Sequence, residues 1–230
     1  MYEYIKANWE NIQSRVALAA QRAGKKPEEI TVVAVSKLFP AEAIRAAVES
    51  GIADIGESRV QEAEEKIKSL GGIARWHMIG HLQSNKAKRA IELFDMIQSV
   101  DSLKLAQLIN QYAADANKKI ECLLEINCSG EKSKYGLEPQ EVTSMIAEVS
   151  SLNNIGLSGL MTVGPLTDDD YAIRKAFAST AGLFQKGKQI AGESFRYLSM
   201  GMSSDFETAI EEGSNMVRIG TAIFGERGTT

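Results

Sequence analysis

Lys37 closes an apolar, β-branched run, Thr31-Val-Val-Ala-Val-Ser36. A lysine leaving a packed strand wall has its charged form disfavoured by desolvation, and the neutral amine that results is the form that condenses with a carbonyl. A strand-end lysine that only extends its ammonium to water is the commoner arrangement, so Lys37 needs partners before it implies chemistry. Two segments from the other end of the chain supply them. Gly201-Met-Ser-Ser-Asp205 carries small residues that let a backbone approach an anion, just ahead of a helix whose N-terminus offers free N–H groups. Arg218-Ile-Gly-Thr221 lies in the last strand-like run and its end. Ser203, Ser204, Gly220 and Thr221 thereby outline one candidate phosphate cup, with Arg218 a step deeper if it faces inward. Each piece has a plainer reading: Ser204-Asp-Phe-Glu207 fits a capping box, and an inward arginine is a core residue paired to a carboxylate.

The remaining reactive types say less. His77 and His81 are the only histidines and have no Cys, Asp or Glu at ligand spacing, so no metal site is expected. Cys122 and Cys128 form neither a metal pair nor a disulfide framework and read as thiols in a reducing compartment. Glu57, Glu62, Glu64 and Glu65 look like a solvated helix face. There is no Gly-x-Ser-x-Gly elbow and no Walker-type loop.

The elements that must position these groups alternate along the chain. Residues 5–23 read as an amphipathic helix ended by Gly24. Strand-like runs follow at 31–36, 54–56, 76–80, 96–100, 120–127, 156–163, 197–200 and 217–224. Between them lie helical stretches: one opened by Pro40 and followed by Gly51, then 60–70, 85–93, 103–117, 139–152, 170–190 and 205–212. The leading helix makes an eighth. Strict alternation implies a parallel sheet, and eight units suggest closure into a (β/α)8 TIM-type barrel with an extra N-terminal helix. The runner-up, an open doubly wound sheet, lacks a Gly-x-Gly-x-x-Gly after the first strand. In such barrels the chemistry sits at the C-terminal strand ends, where Lys37 and the cup both fall.

No Pro-, Gly- or Ser-rich linker divides the 230 residues, so one domain over 1–230 is expected. The net charge of -4 argues against a nucleic-acid or anionic-membrane surface. No signal peptide or membrane span is read from the sequence, which makes the cytoplasm the default location.

The ordered set Val33-Ala-Val-Ser-Lys37, Gly56-Glu-Ser-Arg-Val-Gln-Glu62, Trp76-His-Met-Ile-Gly-His-Leu-Gln-Ser-Asn-Lys86, Ser133-Lys-Tyr-Gly136, Leu160-Met161, Ser199-Met-Gly-Met-Ser-Ser-Asp205 and Val217-Arg-Ile-Gly-Thr-Ala-Ile-Phe-Gly225 resembles the pyridoxal-phosphate homeostasis protein family over nearly the whole chain. The resemblance implies an alanine-racemase-like barrel that holds pyridoxal 5′-phosphate as a Schiff base on Lys37. It implies phosphate contacts from Ser203, Ser204, Gly220 and Thr221, and Arg218 facing the pyridine nitrogen. Met200 and Ile79 would pack against the ring. A cationic arginine at that nitrogen disfavours its protonation and weakens the ring as an electron sink. One departure is visible: the family usually has asparagine where this chain has Ser58.

Three functions fit these expectations. The first is a non-catalytic carrier that stores pyridoxal phosphate, buffers the free aldehyde and delivers it to apo-enzymes, as a monomer. The second is a pyridoxal-phosphate-dependent amino-acid racemase or decarboxylase. The third is a Schiff-base aldolase without cofactor. Racemisation needs a base on each face of a planar intermediate; here the sequence stops soon after the eighth strand, leaving no room for the β-domain whose tyrosine supplies the second base in alanine racemases. Tyr135 is a loop tyrosine that would have to substitute, and Lys134, in the Ser-Lys-x-Gly loop, would serve as a second, transient acceptor or simply as a solvated lysine.

Overall fold

The computed structural model describes residues 2–128, 131 and 135–226. Its eight strands are β1 (Thr31–Val35), β2 (Asp54–Glu57), β3 (Arg75–Met78), β4 (Met96–Val100), β5 (Ile120–Ile126), β6 (Ile155–Thr162), β7 (Tyr197–Ser199) and β8 (Met216–Ile219). They pair in chain order, all parallel, and β8 pairs back to β1 to close the barrel. The helices are α1 (Glu3–Arg22), α2 (Ala41–Glu49), α3 (Val60–Leu70), α4 (Ala87–Leu93), α5 (Leu103–Asp115), α6 (Val142–Ser150), α7 (Asp170–Ala191), α8 (Phe206–Glu211) and α9 (Thr221–Phe224). This is the (β/α)8 architecture expected from the alternation.

Strand side chains alternate between two environments. Ala34, Ile55, Ile97, Leu124 and Leu160 join the large apolar layer between sheet and helices. Val33, Met96, Leu123, Met161 and Met216 form a separate, smaller cluster, which is the packed interior of the barrel. Because both faces are covered, the strands read as continuous apolar runs rather than alternating ones.

The leading helix completes the outer ring, packing against α2, α8 and α9. It also ties down the chain's last described turn: Tyr4 donates to the Phe224 carbonyl at 2.9 Å and Asn8 to the Ile223 carbonyl at 2.9 Å.

The last element differs from the expected strand over 217–224. The strand stops at Ile219, Gly220 turns the chain, and Thr221–Phe224 is a short helix. Folding it back brings the Phe224 ring onto Phe39, with centroids 5.1 Å apart, and buries Ile223 and Phe224 completely or nearly so. Among the described residues no helix is long and apolar enough to cross a membrane.

Candidate functional site

Lys37 sits half-buried immediately after β1. Period-two alternation puts Val33, Val35 and Lys37 on one face of the strand and Ala34 and Ser36 on the other. Since Val33 belongs to the barrel interior, the Lys37 side chain starts from the inner face at the C-terminal mouth. Gly220 lies beside it: a side-chain carbon added there would meet the Val35 carbonyl oxygen at 3.4 Å. In the neighbouring strand, Gly56 of β2 pairs with Val35 and lets side chains close over it: a β-carbon there would come within 2.9 Å of Val33 and 3.1 Å of Ile79. Ile79 thus reaches over the inner face of the barrel at the same level.

Arg218 faces inward and is almost fully buried. Its Nη1 donates to Ser199 Oγ at 2.7 Å and its Nη2 to the Thr162 carbonyl at 2.7 Å. Burial pulls its pKa down to about 10, opposed by the charges of Glu125 and Asp205, so it stays cationic at neutral pH. The expectation of a directly paired core carboxylate gives way to hydrogen bonds with neutral acceptors and a carboxylate field around them.

The residues expected to form a cup meet where β7 and β8 end. Ser203 Oγ accepts from Gly220 N–H at 3.2 Å and from Ala222 N–H at 3.4 Å. These are long bonds that leave the donors at the start of α9 only loosely engaged. Thr221 is exposed beside them. Asp205 holds the preceding turn by accepting from Met202 N–H at 2.6 Å, and Gly201 takes a φ of 98° that favours glycine. The capping box expected at Ser204 is absent: Asp205 is the N-cap of α8 and makes no side-chain cap bond, while Glu207 pairs with Arg15 at 2.8 Å. Ser204 instead lines a cleft of about 670 Å³ with Gly164, Asp168, Met202 and Asp205.

Other expected residues scatter. Ser58 lines a cleft of about 770 Å³ beside the mouth, together with Arg59, His81, Lys86 and Tyr135. Met200, expected against a ring, is fully buried in the layer between sheet and helices, and Ser199 has the inward position in β7. Tyr135 stacks on His81, with centroids 3.8 Å apart and planes 12° off parallel. Lys134 lies outside the described residues. The acidic run is not one solvated face: Glu57 is fully buried at the end of β2 and bonded to Lys66 at 2.6 Å, while Glu62 and Glu64 are partly exposed on α3 and Glu65 is exposed.

Two features are not evident from the sequence. Glu125, at the C-terminal end of β5, is buried and its Oε2 has no hydrogen-bond partner among the described residues. Burial pushes its pKa up to about 7; Asp101 adds to the rise and Arg218 opposes it. The second is a file of polar side chains crossing the barrel. Ser199 Oγ–H donates to Gln98 Oε1 at 2.6 Å, and Gln98 Nε2 donates to His77 Nδ1 at 2.9 Å. That leaves the proton on His77 Nε2, which donates to Asp54 Oδ1 at 2.8 Å. Among the described residues no group of three or more His, Cys, Asp or Glu is arranged to hold a metal ion.

Residues 5–228 match the family model described as alanine racemase, N-terminal domain. The curated "Pyridoxal phosphate homeostasis protein" of Escherichia coli (strain K12) is 38% identical over 224 residues, which is 96% of this chain and 95% of the relative. A structure of an unknown protein from Bifidobacterium adolescentis matches with a TM-score of 0.91 and 34% identity, over 96% of this chain and 94% of that one. PipY of Synechococcus elongatus, solved with PLP bound, matches with a TM-score of 0.81 and 36% identity, over 93% of this chain and all of that one.

Proposed function

We propose that this chain, which belongs to the alanine racemase N-terminal domain family, binds pyridoxal 5′-phosphate on Lys37 and serves its storage, buffering and delivery inside the cell. The observation that carries the reading is the full-length likeness to PipY, whose solved structure has PLP bound. The relatives named for pyridoxal phosphate homeostasis support the same role.

The residues present fit the group. Its phosphate needs N–H and O–H donors, and Ser203, Gly220 and Thr221 offer them where the strands end, with Ser204 at the rim. Its ring needs an apolar surface to lie against, which Val33 and Ile79 supply where they close over Gly56. Its pyridine nitrogen needs a donor or a cation, and Arg218 is fixed by two hydrogen bonds at the inner wall. Ser58 would take the place of the family's asparagine with a shorter reach. Lys37 is the residue that would hold pyridoxal 5′-phosphate covalently, the cofactor supplying an aldehyde that would condense with the amine with loss of one water. Lys37 holds the cofactor covalently but reversibly, so that water or another amine frees it.

In this reading the protein is a carrier rather than an enzyme. It works in the cytoplasm as a single barrel unit and hands cofactor to apo-enzymes. The charged Arg218 opposes protonation of the ring nitrogen and weakens the ring as an electron sink, but an arginine partner also occurs in pyridoxal-phosphate enzymes, so the choice between carrier and enzyme falls to the turnover test.

The test is near-visible absorbance of purified protein with added pyridoxal 5′-phosphate, for wild type and Lys37→Ala, followed by incubation with amino acids. The expected result is a band that the variant lacks and no product. Sustained product would replace the carrier by an enzyme. No band in either protein would remove Lys37 and the cofactor reading together.

A further inference from the structure

The residues on either side of Lys37 are held from behind by one buried charged cluster. Ser36, which points to the outer face of β1, donates its hydroxyl to Glu57 Oε1 at 2.5 Å. Lys66 of α3 donates its ammonium to three acceptors: the Ser36 carbonyl at 2.8 Å, Glu57 Oε1 at 2.6 Å and Glu62 Oε1 at 2.7 Å. Glu62 in turn accepts from the Leu38 backbone N–H at 2.5 Å. Lys66 is 8% exposed and Glu57 fully buried.

Leu38 carries the sign that this clamp does work on the backbone. Its φ is 68°, the left-handed region that a branched, non-glycine residue rarely occupies. Such a conformation persists only where the surroundings over-determine it. Here the surroundings are the Glu62 carboxylate on the Leu38 N–H and Lys66 on the carbonyl two residues earlier. The turn continues into a backbone bond from Phe39 N–H to the Ser36 carbonyl at 3.0 Å, so the Ser36 oxygen is shared between the turn and Lys66. The Leu38–Glu62 bond is exposed and open to competition from water, but behind it the Lys66–Glu57 pair is buried, and removing one partner of a buried pair strands the other's charge.

We propose that Lys66 is a positioning residue for Lys37: with Glu57 and Glu62 it locks the turn at the end of β1 so that the Lys37 amine is presented to the barrel mouth. This deepens the cofactor-binding reading and rests on it. Lys66 touches no cofactor. It acts through the backbone on both sides of Lys37, from the opposite face of the sheet.

The experiment uses two probes, pyridoxal 5′-phosphate and pyridoxamine 5′-phosphate, which carries an amine in place of the aldehyde and cannot attach to Lys37. The covalent arm follows, by mass, the fraction of protein trapped with borohydride against time. The non-covalent arm measures affinity for pyridoxamine 5′-phosphate. Lys66→Met and Glu62→Ala are expected to slow attachment on the order of tenfold to a hundredfold, the cost of a displacement near 1 Å at a reacting group, while affinity for the amine probe stays at the wild-type value. Lys66→Arg restores most of the rate. If Lys66→Met does not fold, Glu62→Ala decides, since Glu62 is partly exposed and its loss leaves the Lys66–Glu57 pair intact. Attachment at the wild-type rate in the folded variants overturns the proposal, as does a parallel loss in both arms, which marks a merely structural role. A wild-type protein that attaches no pyridoxal 5′-phosphate at all overturns the cofactor reading, and the clamp with it.

Discussion

The Arg218 guanidinium lies 2.7 Å from the Ser199 hydroxyl, and that contact is the first link of a file in which every donor points the same way. Arg218 donates to Ser199, Ser199 to Gln98, Gln98 to His77, and His77 to Asp54. A cation at the mouth is thus connected to a carboxylate near the other end of the barrel. A buried network of this kind specifies geometry when every member is satisfied, and becomes costly when one is removed.

Ser199→Ala breaks the file at its first link. It strands one guanidinium N–H and the Gln98 Oε1 among buried groups. A hydrogen bond to a charged group contributes about 1.5–3 kcal/mol, so denaturant unfolding should show a loss of that size. Ser199→Thr, which retains the hydroxyl, should recover part of it. An alanine variant as stable as wild type would mean that Arg218 takes its position from Thr162 alone.

Ser203→Ala addresses the cup. The hydroxyl bridges toward Gly220 and Ala222 N–H at 3.2 and 3.4 Å, at the place where a phosphate would accept from those groups. Loss of one charge-assisted hydrogen bond lowers affinity by about tenfold. The fall is expected for pyridoxal 5′-phosphate and not for pyridoxal, which has no phosphate to lose contact with. Titrating both ligands against both proteins separates a phosphate contact from a general loosening of the loop, which would weaken the two ligands alike.

The barrel is legible in the sequence because its strands are buried on both faces and stand out as Val- and Ile-rich runs between helical periods. The one misread element, 217–224, shows why boundaries fail: an apolar run split by Gly220 fits a strand or a strand followed by a helical turn, and periodicity alone does not choose. Lys37 and Arg218 stand out because strand ends are where this architecture puts chemistry. Glu57 does not, since one glutamate after a strand looks like any other. The signal available was Lys66, spaced i,i+4 from Glu62 and facing back toward the same strand. Gln98, His77 and Ser199 come from three strands, and their alignment depends on a register that no local pattern encodes.

Glu125 supplies a pH dependence whose sign is fixed by its surroundings. Its carboxyl is pushed up to about 7 by burial, with Asp101 reinforcing and Arg218 opposing, whereas in the unfolded chain it titrates in the ordinary range near 4.3. Between those values the folded protein holds a proton that the unfolded chain has released. Stability tied to this group is therefore fully present below about pH 4, shrinks as pH rises, and is gone above about 7. Glu125→Gln has the same shape and cannot ionise. Its unfolding free energy should match wild type near pH 4 and exceed it increasingly toward pH 8, levelling at about 3–4 kcal/mol. Taking the difference between the two proteins cancels Glu57 and Asp205, whose values are also raised by burial. A difference that stays flat across this range would show that Glu125 ionises normally in the fold, with Arg218 just offsetting the burial. A difference that grows as pH falls would mean that the folded barrel stabilises the carboxylate, and that Arg218 and Glu125 act as an ion pair at the mouth.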